Sequence, residues 1–243
     1  EPPLSDTKPF VSISTIGDRI GPLITEHIDL AMRHILPGAD VVIDRPFTRI
    51  LTGEPHPFGN FACISHPADA AGVQAAIAPL LTCGAPAAAA FAGPVPATVE
   101  QVLTGSGFAR HGGLPAMGVD IDKLGATALP PGYTFARVTR AADRDTWADV
   151  FSRGYGLPLR VGAMFARGIN DDARIDAPLQ YFWALKNGTP VATSLVYLHN
   201  GVAGIYGVAT LPEERGKGLG AYVTAEPLRV TRAIGYRVGI LQA

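Results

Sequence analysis

The stretch from Gly207 to Ala221, Gly-Val-Ala-Thr-Leu-Pro-Glu-Glu-Arg-Gly-Lys-Gly-Leu-Gly-Ala, concentrates more potential chemistry than any other part of the sequence. A strand-like run, Val208-Ala209-Thr210, leads into a glycine-rich turn, and the turn opens a segment of helical periodicity. The first amides of a helix lack intrahelical partners and carry the positive end of the helix dipole, so they bind an anion wherever no Cβ blocks its approach. Gly216, Gly218 and Gly220 keep that approach open, Arg215 and Lys217 add positive charge, and Glu213 and Glu214 keep the surroundings from being basic overall. The pattern fits a pyrophosphate. Two common phosphate loops do not fit: Gly216-Lys217 is followed by Gly218 instead of Ser or Thr, with Leu211 where the first P-loop glycine should stand. The spacing is also Gly-x-Gly-x-Gly, with no acidic residue at a strand end about 20 positions on, which argues against a dinucleotide fingerprint.

The window contains Arg-x-x-Gly-x-Gly, as Arg215, Gly218 and Gly220, with Pro212 three residues before the arginine. In this it resembles the GNAT superfamily of N-acetyltransferases, over roughly residues 134–243. The resemblance implies that acetyl-coenzyme A, as co-substrate, lays its pyrophosphate on the backbone of Gly216, Lys217, Gly218, Leu219, Gly220 and Ala221. It also implies that the pantetheine arm pairs with the backbone of Val208, Ala209 and Thr210 where two strands splay apart. The implied activity is transfer of an acetyl group to an amine of a small molecule or peptide. A general nucleotide phosphate site is the broader alternative.

Acetyl transfer needs a neutral amine, whereas a free alkylamine has a pKa near about 10, so a base or a water chain must take a proton. Some members of the superfamily place a glutamate on the strand before the loop, but Val202–Thr210 holds no carboxylate. Tyr206 is the titratable side chain there and the candidate catalytic residue, against the simpler reading of a packed aromatic. Its parity with Val208 puts the two on one face of a regular strand. A backbone amide from residues 208–210 would stabilise the oxyanion. The family's fifth strand is followed by a helix, often supplying a tyrosine acid, and two more strands; the second domain is expected to lack these elements, since the sequence stops at Ala243. A catalytically silent acyl-coenzyme A sensor module is therefore the rival reading.

The elements that must hold this window form a mixed α/β pattern of the α+β type. In the second half, strands are expected at 134–139, 180–186, 191–198, 202–210 and 237–241, and helices at 140–154, 161–168 and 218–234. Asn187-Gly188 and His199-Asn200-Gly201 mark hairpin turns, and Pro227 should kink the last helix. In the first half, helices are expected at 20–36, 69–81 and 97–105, and strands at 49–52, 60–65, 87–91 and 117–121. The similar order makes residues 1–128 a degenerate GNAT-like copy and 129–243 the cofactor-binding domain, joined by a linker around Gly125 and Pro130-Pro131-Gly132. Each domain would be a mixed, mostly antiparallel sheet flanked by helices.

The whole chain sets the class. Its 243 residues are 47% hydrophobic and 17% charged, enough for two buried cores. A formal net charge of -1 leaves no basic field to gather nucleic acid or anionic lipid, and no uninterrupted apolar run reaches the length of a membrane span. Cys63 and Cys83 form no Cys-x-x-Cys pair, and His56, Cys63 and His66 lack a fourth ligand, so no metal is expected. A start with two prolines and no apolar h-region does not read as a secretory signal, and the expected location is the cytoplasm.

Overall fold

The structure, a computed structural model, describes residues 20–36, 40–44, 47–64, 69–91, 94–113, 115–172 and 174–243. The fold is mixed α+β, with two mixed sheets flanked by helices, and the chain divides into a unit of residues 21–114 and a unit built from Pro115–Ala243.

In the first unit a four-stranded sheet runs in the order β1 (Asp40–Asp44), β2 (Phe47–Leu51), β3 (Asn60–Ile64), β4 (Ala88–Phe91). The first three strands pair antiparallel; α2 (Ala70–Thr82) then carries the chain across to β4, which runs parallel to β3. Helices α1 (Ile20–Ile35) and α3 (Ala97–Gly105) complete the unit. Its core gathers Phe47, Ala62 and Ile64 from the sheet with Val73, Ala76, Ile77 and Leu80 from α2 and Val99 from α3. Helix α2 starts at Asp69, whose carboxylate accepts hydrogen bonds from the amides of Ala71 and Gly72, both at 3.1 Å.

The second unit holds a six-stranded sheet in the order β5 (Ala116–Asp120), β10 (Val238–Gln242), β9 (Val202–Thr210), β8 (Thr189–His199), β7 (Leu179–Lys186), β6 (Tyr133–Val138). Strands β6 to β9 form an antiparallel meander, tightened by two turns whose central residues all have positive φ: Asn187 with Gly188, and Asn200 with Gly201. Helix α6 (Leu219–Arg232) then returns the chain to β10, parallel to β9. The pairing order of β1–β2–β3, helix, β4 thus recurs in β7–β8–β9, helix, β10.

One face of this sheet packs on α6, burying Phe182, Val196, Ala203 and Ile205 with Leu228, and Ala184, Val191 and Ala192 with Leu219 and Val223. The other face carries α4 (Arg144–Tyr155) and α5 (Leu159–Phe165), where Trp147 stacks on Phe151 and meets Tyr181 edge-on. The α4 helix begins at Arg144 because Ala141–Asp143 form a tighter 3-10 turn. Helix α6 passes through Pro227 without interruption, with the proline ring in the buried stripe.

Two expectations change here. The second unit begins at Pro115, ahead of the boundary near residue 128, because β5 pairs antiparallel with β10 from Asp120↔Val238 to Ala116↔Gln242. The segment around Pro130-Pro131-Gly132 is therefore a connection inside this unit, leading into β6. Strand β1 was also not foreseen, and the expectation for residue His66 lies outside the described residues.

Candidate functional site

Strand β9 departs from regular pairing one residue past Tyr206. Leu195 faces Tyr206 and Thr193 faces Ala209, so two residues of β8 are matched by three of β9, and Gly207 takes φ +59. This is a β-bulge. A Cβ on Gly207 would meet Trp147 at 3.3 Å, Leu195 at 3.4 Å and Phe151 at 3.6 Å. The bulge therefore turns residue 207 toward α4, and the glycine admits the rings. It also breaks the expected parity: Tyr206, opposite Leu195, lies on the α4 face, whereas Val208 packs with the α6 clusters. Tyr206 is buried, at 9% exposure.

On its other edge β9 pairs with β10 at Val202↔Val238, Ala203↔Gly239 and Gly204↔Ile240, and pairing stops there. Beyond Gly204 the two parallel strands part. From there β9 runs on to Thr210, and the main-chain groups it presents to that edge are not taken up by β10.

The chain next makes a short 3-10 turn at Pro212–Glu214 and enters α6 through Gly216 at φ +76 and Gly218 at φ +83. Gly218 is the N-cap and offers no side-chain acceptor, so the first amides of α6 stay uncapped, in contrast to those of α2. A pocket of ≈ 320 Å³ opens at this helix start, between Gly154 of α4, residues 208–210 of β9, and the turn residues Glu214–Gly216 and Gly218–Gly220. The Leu219 side chain is buried in the core, so only its backbone faces the pocket. Ala221 and Lys217 are not among the lining residues.

The two basic side chains of the turn are committed to the protein. Arg215 donates from Nη2 to the Gly154 carbonyl at 2.6 Å and from Nε to the Thr210 carbonyl at 3.3 Å, tying the end of α4 to the end of β9. Lys217 donates to Glu214 Oε2 at 2.6 Å and to the Glu213 carbonyl at 3.3 Å. Glu214, 6% exposed, also accepts from Lys186 Nζ at 2.7 Å and from the Tyr133 hydroxyl. These donors, Lys186 first, then Lys217 and Tyr133, hold the Glu214 carboxyl down at about 2, and Glu214 in turn raises both lysines above their ordinary value. The sequence treats Glu214 as a balancing charge; the structure makes it the hub that fastens the turn to β6 and β7. Its i,i+3 spacing from Lys217 was the available signal, but Lys186 and Tyr133 come from distant sequence.

Gly154 matters for a packing reason. A Cβ there would stand 2.8 Å from the Ala209 Cβ and 3.1 Å from the Thr210 nitrogen, so the absent side chain lets α4 rest on β9 beside the pocket. Elsewhere, His56 Nδ1 accepts from the Phe58 amide in the β2–β3 loop, and Cys63 is buried on β3. Among the described residues no group of three His, Cys, Asp or Glu is placed to hold a metal ion, and no helix is long and apolar enough to cross a membrane.

Residues 145–239 match the acetyltransferase (GNAT) family model. Solved structures share the fold over most of the chain. A GCN5-related N-acetyltransferase from Kribbella flavida has a TM-score of 0.65 at 21% identity, covering 92% of this chain and 86% of its own. A GCN5-related N-acetyltransferase from Sphaerobacter thermophilus has a TM-score of 0.57 at 14% identity, covering 93% and 84%. A functionally unknown conserved protein from Staphylococcus epidermidis has a TM-score of 0.50 at 13% identity, covering 87% and 86%. No curated protein matches the chain.

Proposed function

We propose that the protein is an acetyl-coenzyme A dependent N-acetyltransferase acting on an amine of a small molecule or peptide, with the second unit holding the donor. The observation that carries this reading is the continuity of two unsatisfied backbone surfaces, the free edge of β9 beyond Gly204 and the uncapped start of α6. A ligand with an amide-bearing arm and a diphosphate uses both.

The amides at the head of α6 would take the pyrophosphate, where Gly216, Gly218 and Gly220 leave room. Because Arg215 and Lys217 are engaged internally, the anion is held chiefly by backbone donors, and the side chains stiffen the turn that presents them. Val208, Ala209 and Thr210 would pair with the amides of the pantetheine arm. Near the bulge, the amine nitrogen attacks the acyl carbon, the carbonyl electron pair shifts to oxygen and returns as the C–S bond breaks, and the proton lost by the amine ends on the departing thiolate. Tyr206, on the α4 face at the bulge, is the side chain we assign to relay that proton, through water.

We read the first unit as a degenerate copy of the same architecture. Its pairing order repeats that of the second unit, but at the helix start corresponding to the phosphate turn the Asp69 carboxylate already occupies two amides and supplies the wrong charge for an anion. One donor site per chain follows. Titration calorimetry with acetyl-coenzyme A, followed by a thiol-release assay over a panel of amines, tests the proposal. Binding with turnover of at least one amine supports it; ATP or NAD binding as tightly as coenzyme A refutes it. The absence of a carboxylate on β9 favours a second reading, an acyl-coenzyme A sensor, which binding without turnover would select.

A further inference from the structure

Gln242 presents a hydrogen-bond donor that no group among the described residues uses. Its Nε2 is buried and has no partner among the described residues, a condition that is costly and calls for an explanation. Its place on β10 supplies one. Gly239 faces α6, since a Cβ there would meet Leu228 at 2.7 Å, and Leu241 packs in the same cluster, so Ile240 and Gln242 lie on the opposite face, that of α4. The last parallel pair is Ile240 with Gly204; two residues further along each strand come Gln242 and Tyr206. The orphan amide and the Tyr206 ring therefore lie on one face, at one level, on the two sides of the gap where the strands part.

The length of the donor fixes what reaches that level. A pantetheine arm has the main-chain length of about four residues, roughly 13–14 Å when extended. Laid along β9 from Thr210, beside the phosphate turn, it ends opposite Tyr206. The sulfur and its acyl group arrive there, and the acyl group brings a carbonyl oxygen that lacks a donor. We infer that Gln242 Nε2 donates a hydrogen bond to the thioester carbonyl oxygen, which makes it a catalytic residue on β10 that polarises the acyl group and complements the backbone amides of β9. This inference rests on the acetyl-coenzyme A reading above.

The test compares acetyl-coenzyme A with coenzyme A by titration calorimetry on the full chain and on Gln242→Met, which keeps the length of the side chain and removes the donor. The variant should weaken acetyl-coenzyme A about three- to tenfold while leaving coenzyme A unchanged. Free of ligand, it should unfold at the same temperature as the parent or higher, because an unpaired buried donor has been removed. Gln242→Leu gives the same readouts should the methionine variant fail to fold. Equal weakening of both ligands assigns the amide to the arm and overturns the inference, as does no weakening of either. A parent chain that binds neither ligand brings down the cofactor reading and this inference together, whereas a parent that binds both with a variant that does not discriminate brings down this inference alone.

Discussion

An alanine at position 220 separates two reasons for a glycine at the head of α6, one concerning the fold and one concerning a ligand. Gly220 is the second residue of the helix, has no positive φ, and a Cβ added to it would meet only the Thr210 hydroxyl at 3.9 Å, ordinary van der Waals contact. The ligand-free protein gains helix propensity, worth up to about 1 kcal/mol, which for a chain of this size raises the melting temperature by about 2–4 °C. The new methyl group stands on the pocket wall where the anion would approach. Loss of one charge-assisted hydrogen bond costs about 1.5–3 kcal/mol, so affinity for acetyl-coenzyme A should fall about 10- to 150-fold. Scanning fluorimetry and titration calorimetry on the same preparation give both numbers. A variant that is at least as stable and binds acetyl-coenzyme A within about twofold of the parent would refute the assignment of the phosphate site. Gly218→Ala is the contrast, because φ +83 imposes backbone strain of about 1–2 kcal/mol, so both stability and affinity should fall.

Gly154→Ala drives a methyl group into Ala209 and the Thr210 backbone; overpacking costs about 1–3 kcal/mol, offset in part by about 1 kcal/mol of propensity, and thermal unfolding together with calorimetry should show lower stability and weaker donor binding. Glu214→Gln loosens the phosphate turn. The native Glu214 pKa, about 2, lies below its ordinary 4.5, so the contribution of its charge is complete above about pH 4.5 and is lost as pH falls toward about 2. Lys186 and Lys217, raised above 10.5, contribute fully below that value and lose their contribution as pH rises through their native values. The difference in melting temperature between parent and Glu214→Gln should therefore be flat across neutral pH and shrink at both extremes; a difference that peaks near neutrality and vanishes by about pH 6 would contradict this. Asp69→Ala should cost the first unit about 1 kcal/mol through loss of its cap, read by thermal unfolding, without changing the stoichiometry of donor binding.

What the sequence makes legible is local. The two Asn-Gly turns, the run from β9 through the glycines into α6, and the 97–105 helix depend on neighbouring residues, and each lies where periodicity and turn chemistry place it. What it conceals depends on partners far along the chain. The neighbour of Ala116–Asp120 is more than a hundred residues away, and the Pro-Pro-Gly run at 130–132 outweighs it as a boundary signal. The parity of Tyr206 with Val208 fails because one bulged residue reverses the alternation, and Gly207 alone does not announce a bulge. Glu214 gains its role from Lys186 and Tyr133, which no spacing rule connects to it.

The outer position of β5 has a practical consequence for anyone dissecting the molecule. A fragment beginning at residue 129 would retain the whole glycine turn yet strip β10 of its antiparallel neighbour, leaving a hydrophobic strand with bare amides and carbonyls in water. Such a fragment should self-associate through that rim. One that starts at Pro115 keeps β5 on β10 and that border closed, and should bind the donor without this route to self-association.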